Sequence, residues 1–204
     1  MHTQNSLPEE YGVLEKVDLQ KDKKKALLVN GLSLAIGVVL FLIGEWIRPL
    51  RYMAALDEAF ESGSFGSLIL RLAVFFVGSI VYLILHEAVH GICMHRFSRA
   101  KVRYGFTGLY AFAGSDAYFC RRDYRIIAMA PVVVWGVIFA VLQVLVPDGW
   151  FWVIYALQIV NVGGAAGDIY MTVHVSRLPA EILVQDTGVA MTIFAPNAAI
   201  QPHA

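Results

Sequence analysis

The sequence predicts an α-helical integral membrane protein: four transmembrane helices, a membrane-inserted or interfacial β-hairpin between helices 2 and 3, and a short C-terminal β-hairpin. Three observations predict it. Hydrophobic residues make up 58% of the 204 residues and charged residues only 16%, where an average soluble domain carries about 25% charged residues. Four stretches are apolar over the roughly 20 residues that a helix needs to cross a bilayer. Lysine and arginine alternate between the connecting segments, as membrane topology requires. A mean hydropathy of +0.61 agrees. Together these exclude a soluble globular enzyme and a disordered chain, and the length excludes a large transporter built from repeats. Sixteen basic side chains balance sixteen acidic ones, so no global basic field exists to hold nucleic acid. Two cysteines, Cys93 and Cys120, cannot build a disulfide scaffold.

Residues 1–25 are polar and close on the basic cluster Lys21, Lys23, Lys24 and Lys25. They lack the apolar stretch and small-residue cleavage site of a signal peptide and read as a cytosolic tail. Ala26 to Gly44, uncharged over 19 residues, forms the first span, and Gly63 to Leu85, with Arg71 its only charge, the second. Ile126 to Val146 is uncharged over 21 residues and Gly149 to Gly167 over 19. A soluble domain this small could not bury four such helices. The tail carries five lysines, the first connection Arg48 and Arg51, the second seven basic residues, Pro147-Asp148-Gly149 none, and the C-terminal segment Arg177. That alternation places both termini in the cytoplasm of a multi-pass cell-membrane protein. The organisation is a tail (1–25), a four-helix membrane domain (26–178), and a C-terminal hairpin and tail (179–204). Glu45 and Arg71 lie near the outer ends of their helices, where they either pair or snorkel, in a structural role.

Tyr104 to Phe119 is rich in glycine and aromatic residues, with Asp116 its only charge. Val102, Tyr104 and Phe106 alternate, as do Tyr110 and Phe112, which predicts strands with turns at Thr107-Gly108 and Gly114-Ser115. Non-helical backbone at membrane depth needs a protein-lined cavity, so a hairpin dipping into one is expected; a cytosolic loop with a greasy surface is the alternative. Ile182 to Phe194 reads as a second hairpin, turning at Asp186-Thr187-Gly188.

The chemistry sits at the end of helix 2, in His86-Glu87-Ala88-Val89-His90. On a helix, positions i and i+4 share a face, so His86 and His90 can hold one Zn2+ and Glu87 can act as general base toward an activated water. Ionisable groups deep in an apolar helix are expensive and functional by default. The plainer alternative is a set of polar side chains that glue helices together. A catalytic zinc needs a third protein ligand. No glutamate lies between Glu87 and Glu181, and the third histidine of a metzincin-type motif would fall six residues after His90, where Arg96 stands. Cys93, His95, Asp116, Cys120, Asp123, Asp148, Asp168, His174, Glu181 and Asp186 remain, and only Asp168 follows a long uncharged membrane stretch. Helices 2 and 4 run in the same direction, which sets Asp168 at a depth comparable to His86, and Gly163, Gly164 and Gly167 permit close helix approach. Pairing with Arg177 or a loop arginine is the other reading of Asp168. Asn161, two helical turns before Asp168, is placed either to bond a substrate carbonyl or to link helices. His95 and His174 read as interfacial histidines and Cys93 as a buried inert thiol.

These residues resemble the site-2 protease group of intramembrane zinc metalloproteases: His86-Glu87-x-x-His90 on a membrane helix, a following apolar strand-like segment, a helix opening at Ala130-Pro131, and the distal Asp168 after an asparagine. In that group a proline follows the asparagine by three residues and precedes Asp-Gly; here Gly164 replaces the proline, Asp168 comes one residue early and Ile169 follows it. A closer resemblance is to an uncharacterised bacterial family of zincin-type membrane peptidases, through the HExxHG helix, Tyr104-Gly105-Phe106, Tyr124 to Pro131, Asn161 with Gly167-Asp168, and Asp186-Thr187-Gly188. The resemblance implies a zincin-like site.

The expected function is therefore an intramembrane zinc metalloendopeptidase, with His86, His90 and Asp168 on the metal and Glu87 as base. Asn161, Tyr104, Phe106, Tyr110 and Phe112 are expected to contact a membrane-embedded peptide or protein substrate, which would add as a strand. The lipid bilayer is the other partner, nucleic acid is not one, and a homodimer is compatible with the sequence. The alternative is a non-proteolytic membrane zinc-binding protein or adaptor that keeps the HExxH site. A metal transporter is disfavoured, because no second cluster of membrane ligands marks a path. Two histidines and a carboxylate suit several first-row metals besides zinc.

Overall fold

A computed structural model describes residues 2–18, 21–50, 56, 61, 63, 65–108 and 110–200. Arg51, counted above among the charges of the first connection, lies outside them. The elements are β1 (Tyr11–Val17), α1 (Lys23–Ile47), α2 (Gly66–Ser98), β2 (Val102–Phe106), β3 (Ala111–Ser115), β4 (Tyr118–Cys120), α3 (Arg121–Leu145), a 3-10 turn (Asp148–Trp150), α4 (Phe151–Gly164), α5 (Ala166–Ser176), β5 (Leu183–Asp186), β6 (Met191–Pro196) and α6 (Asn197–Ile200).

Four helical segments are long and apolar enough to cross a membrane: Lys23–Ile47, Gly66–Ser98, Arg121–Leu145 and Asp148–Ser176. They match the four spans read from the sequence and are consistent with a multi-pass membrane protein. Two differ in detail. The helix that carries the HExxH motif does not end there but runs eight residues further, to Ser98; no glycine or proline interrupts residues 92–98. The fourth span is not one continuous helix. It opens with the 3-10 turn and breaks at Ala165, whose N–H reaches the Gly163 carbonyl, because the Gly163-Gly164 pair weakens helix propagation.

The chain forms two compact units. One comprises residues 30–84 and 132–166. Its core packs Tyr82, Phe139 and Leu157 with Phe75, Trp135 and Ile154 around them. Asn161 is fully buried here; its amide accepts the Tyr82 hydroxyl at 3.1 Å and donates to the Val132 carbonyl at 3.1 Å. Arg71 donates to the carbonyls of Gly149 at 2.9 Å and Ser67 at 3.2 Å and lies over the Trp150 ring. Glu45 instead accepts the Leu50 N–H at 2.8 Å. Each of these charges thus meets partners of its own rather than the other.

The other unit joins residues 1–29, 85–131 and 167–204. Its core sets Val17, Met94, Phe119, Ile127, Val175 and Ile193, all essentially inaccessible, against one another. A four-stranded antiparallel sheet in the order β1-β6-β5-β4 closes over it. The C-terminal hairpin has the expected turn, with Asp186 paired to Met191 across it and the Gly188 N–H bonded to the Asp186 carboxylate at 2.9 Å. Gly188 adopts φ +83, a conformation open chiefly to glycine. The polar tail contributes β1. Charged Glu15 and Lys16 hide its strand pattern in the sequence, yet Val17 is buried.

Glu15 ties β1 to two helices: Lys25 donates to it at 2.7 Å and His174 lies 2.7 Å from its other oxygen. The Lys25 hydrogen bond, with His174 behind it, holds the Glu15 carboxyl below its ordinary 4.5. A depressed carboxylate pKa stabilises the fold above the unfolded value and loses that contribution as pH falls through the folded one. Glu15→Gln is therefore expected to lower the melting temperature at neutral pH, with the gap from wild type closing below pH 4.5. A gap independent of pH in a thermal melt would rule out this linkage.

β2 and β3 form a separate two-stranded antiparallel hairpin, with Tyr104 opposite Ala113 and Gly105 opposite Phe112. The turn after Phe106 is where the sequence places it, and Gly108 takes φ +91 there. Gly114-Ser115, expected as a turn, lies inside β3 instead. Gly114 serves close approach: a Cβ there would collide with the backbone of Thr187.

Candidate metal centre

α2 brings His86 and His90 one above the other, as i, i+4 residues on a helix must stand. Both are buried, at 7% and 8% exposure, and their rings meet edge to face with centroids 4.9 Å apart. Asp168, in the first turn of α5, faces them: its Oδ2 lies 3.4 Å from His86 Nε2 and 3.6 Å from His90 Nε2. One ligand atom from each of the three residues falls within 4.8 Å of the others.

These spacings fit zinc. Nitrogen and oxygen ligands about 2.0–2.1 Å from a tetrahedral ion stand roughly 3.3–3.5 Å from one another. The observed separations exceed the roughly 2.7–3.2 Å of a direct hydrogen bond. His90 Nδ1 lies 2.9 Å from the Ile127 carbonyl, so that nitrogen is the donor, and Nε2 is the atom that faces Asp168 and could ligate a metal. A backbone carbonyl that fixes the tautomer of a ligating imidazole is the usual support of a metal site. Asp168 has no arginine partner among the described residues.

Glu87, between the two histidines in sequence, projects toward the hairpin. Its Oε2 accepts the Ala113 N–H at 2.8 Å. In an antiparallel ladder, N–H groups point alternately to the partner strand and away from it. The Ala113 N–H leaves the β2–β3 ladder for Glu87, so the outer edge of β3 runs past the carboxylate.

The family model described as "Putative zincin peptidase" matches residues 79–183, just over half of the chain. The chain belongs to this family. Membership points to a metallopeptidase and to zinc, and the matched region contains His86, Glu87, His90 and Asp168. No curated protein and no solved structure matches the chain.

The remaining expected contacts divide. Tyr104, Phe106 and Tyr110 are exposed at 57%, 71% and 38% on the hairpin whose β3 edge meets Glu87. Phe112 folds back over Gly105 and Gly188, where any Cβ would strike its ring. Asn161 has both ends of its amide engaged by Tyr82 and Val132. The break at Ala165 also means that its seven-residue spacing from Asp168 does not run along one unbroken helix. Two participants escape sequence reasoning, the Ala113 N–H and the Ile127 carbonyl. Both are backbone groups, invisible to residue chemistry. Asp186, one of the candidate ligands, lies on a hairpin outside the converging group and interacts electrostatically with His90, Asp168 and Glu87. Burial pushes its carboxyl up to about 6, against the pull of the Gly188 N–H.

Proposed function

We propose that this zincin-family chain is an intramembrane zinc metalloendopeptidase, hydrolysing peptide bonds of membrane-embedded substrates. The observation that carries the reading is the convergence of His86, His90 and Asp168 at zinc spacing, on apolar helices, with Glu87 adjacent.

His86, His90 and Asp168 would hold the zinc, which when bound would supply Lewis acidity near neutral pH. Glu87 takes the proton from the attacking water and passes it to the departing amide nitrogen. The Ala113 N–H holds one carboxylate oxygen, leaving the other free for that transfer. A transmembrane substrate arrives as a helix whose backbone groups are internally bonded, so it must unwind locally before cleavage. Addition as a strand to the outer edge of β3 satisfies those backbone groups and lays the chain beside Glu87. Tyr104, Phe106 and Tyr110 give its side chains an apolar surface. The bonds of Asn161 favour its helix-linking role over contact with substrate. The charge alternation supports cytoplasmic termini and a site opening toward the cytosol.

The test is cleavage of a single-span peptide by purified protein in proteoliposomes. Cleavage that chelator abolishes and zinc restores is expected, together with trapping of the peptide by a photo-crosslinker at position 106, which is 71% exposed. A zinc-loaded protein that neither cuts nor traps a panel of spans would favour the non-proteolytic membrane zinc protein.

A further inference from the structure

We propose that the groove on α2 beyond His90 binds the phosphate headgroup of an anionic phospholipid. The last two turns of α2 and strand β2 enclose a groove of about 380 Å³, lined among others by Gly91, Ile92, His95, Arg96, Arg99 and Tyr104. No acidic residue lines it. Among the described residues, neither arginine side chain has an ion-pair or hydrogen-bond partner, although Arg103 and Asp116 nearby in sequence pair in bidentate fashion at 2.6 and 2.7 Å.

The local backbone is arranged for this. Arg99 is the only non-glycine residue at positive φ (59°) among the described residues. It occupies the position just after the helix end, where glycine is the ordinary solution because a Cβ is unfavourable there. An arginine at such a position carries backbone strain beside the groove. Gly91 has the opposite role: a Cβ on it would collide with the Tyr104 phenol, so the glycine lets that ring lie against the helix and line the groove. His95 is fixed by its Nδ1, 3.0 Å from the Ala100 carbonyl. The helix dipole favours cations anywhere on a last turn, but it accounts for neither the concavity nor the left-handed arginine.

Depth selects a lipid over a soluble anion. Arg71, which reaches the Gly149 carbonyl and the Trp150 ring, marks one membrane boundary. About 20 residues cross the hydrocarbon, which brings α2 to Gly91 and Ile92 at the other. Arg96 and Arg99 then stand about 6 and 10 Å beyond, at 1.5 Å per residue, in the headgroup layer. Ile92, 65% exposed, forms the apolar lip along which an acyl chain can run. Basic pockets at this depth bind anionic headgroups. The proposal rests on the membrane reading of α2 and not on peptidase activity.

Native mass spectrometry of the detergent-purified full chain, titrated with phosphatidylglycerol and with phosphatidylcholine, tests it. Selective retention of phosphatidylglycerol is expected, weakened about fivefold by Arg96→Gln or Arg99→Gln, with phosphatidylcholine unaffected. Arg99→Gly discriminates further: it should raise the lipid-free melting temperature by relieving the left-handed arginine, yet weaken phosphatidylglycerol binding. Equal retention of the two lipids, or variants that hold phosphatidylglycerol like wild type, would overturn the proposal. Displacement by equimolar glycerol 3-phosphate would reassign the groove to a soluble phosphate, and displacement by an acidic peptide to a substrate exosite; either overturns the lipid assignment. Zinc content of the same samples reports on the metal centre separately.

Discussion

Glu87→Gln retains the metal and loses peptide cleavage. Gln keeps an oxygen that can accept the Ala113 N–H, so the 2.8 Å bond that anchors β3 to α2 survives. Glu87 is not among the three converging ligands, so the zinc stoichiometry is unchanged. What is lost is the ability to take a proton from water and return it to the leaving nitrogen. General-base catalysis contributes about 10²–10⁴-fold, and the turnover rate should fall by that much with the zinc content equal to wild type. Undiminished cleavage by Glu87→Gln would sink the mechanism. A rate loss accompanied by zinc loss would instead mean that Glu87 supports the metal.

His86→Ala and Asp168→Ala each lose zinc. Each removes one of three ligand atoms that lie within 4.8 Å of one another. Losing a hydrogen-bond partner behind a ligand already costs about 10–100-fold in metal affinity, so removal of a ligand itself should exceed that. Purified wild type is expected to hold about one zinc per chain, and either variant close to none at the same free zinc. Zinc lost in His86→Ala but kept in Asp168→Ala would preserve the motif and demote Asp168 to a charge partner of the histidines. A well-folded wild type that takes up no zinc would favour the polar helix glue.

Much of this was legible in the sequence because the relevant signals are local and periodic. Four long apolar stretches reveal the four helical segments able to cross a membrane, i, i+4 spacing reveals the histidine pair, and alternating aromatics reveal β2 and β3. Asp168 is reached less directly, by elimination, by its depth along the fourth apolar stretch and by the resemblance carried by Asn161 and Gly167-Asp168. Its approach to His86 and His90 at 3.4 and 3.6 Å depends on tertiary packing. The break at Ala165 was missed because uncharged composition cannot distinguish one helix from two. β1 was missed because a strand with Glu15 and Lys16 in it looks like a solvated tail until its partner β6 is known. Gly114 was misread as a turn because the close approach it serves comes from residues more than seventy positions away.

The pairing of β1 with β6 governs the order in which the molecule can assemble. Tyr11 meets Pro196, so β1 leaves the ribosome long before its partner β6 is made. The zinc ligands follow the same timetable, because His86 and His90 are synthesised long before Asp168. Until α5 and β6 are made, the nascent chain carries His86 and His90 without Asp168 and β1 without its partner strand. Contacts this distant in sequence close slowly and expose the chain to misassembly. The candidate metal centre is thus completed only once α5 has been made, and a metal bound there would act as a late step that favours the native state.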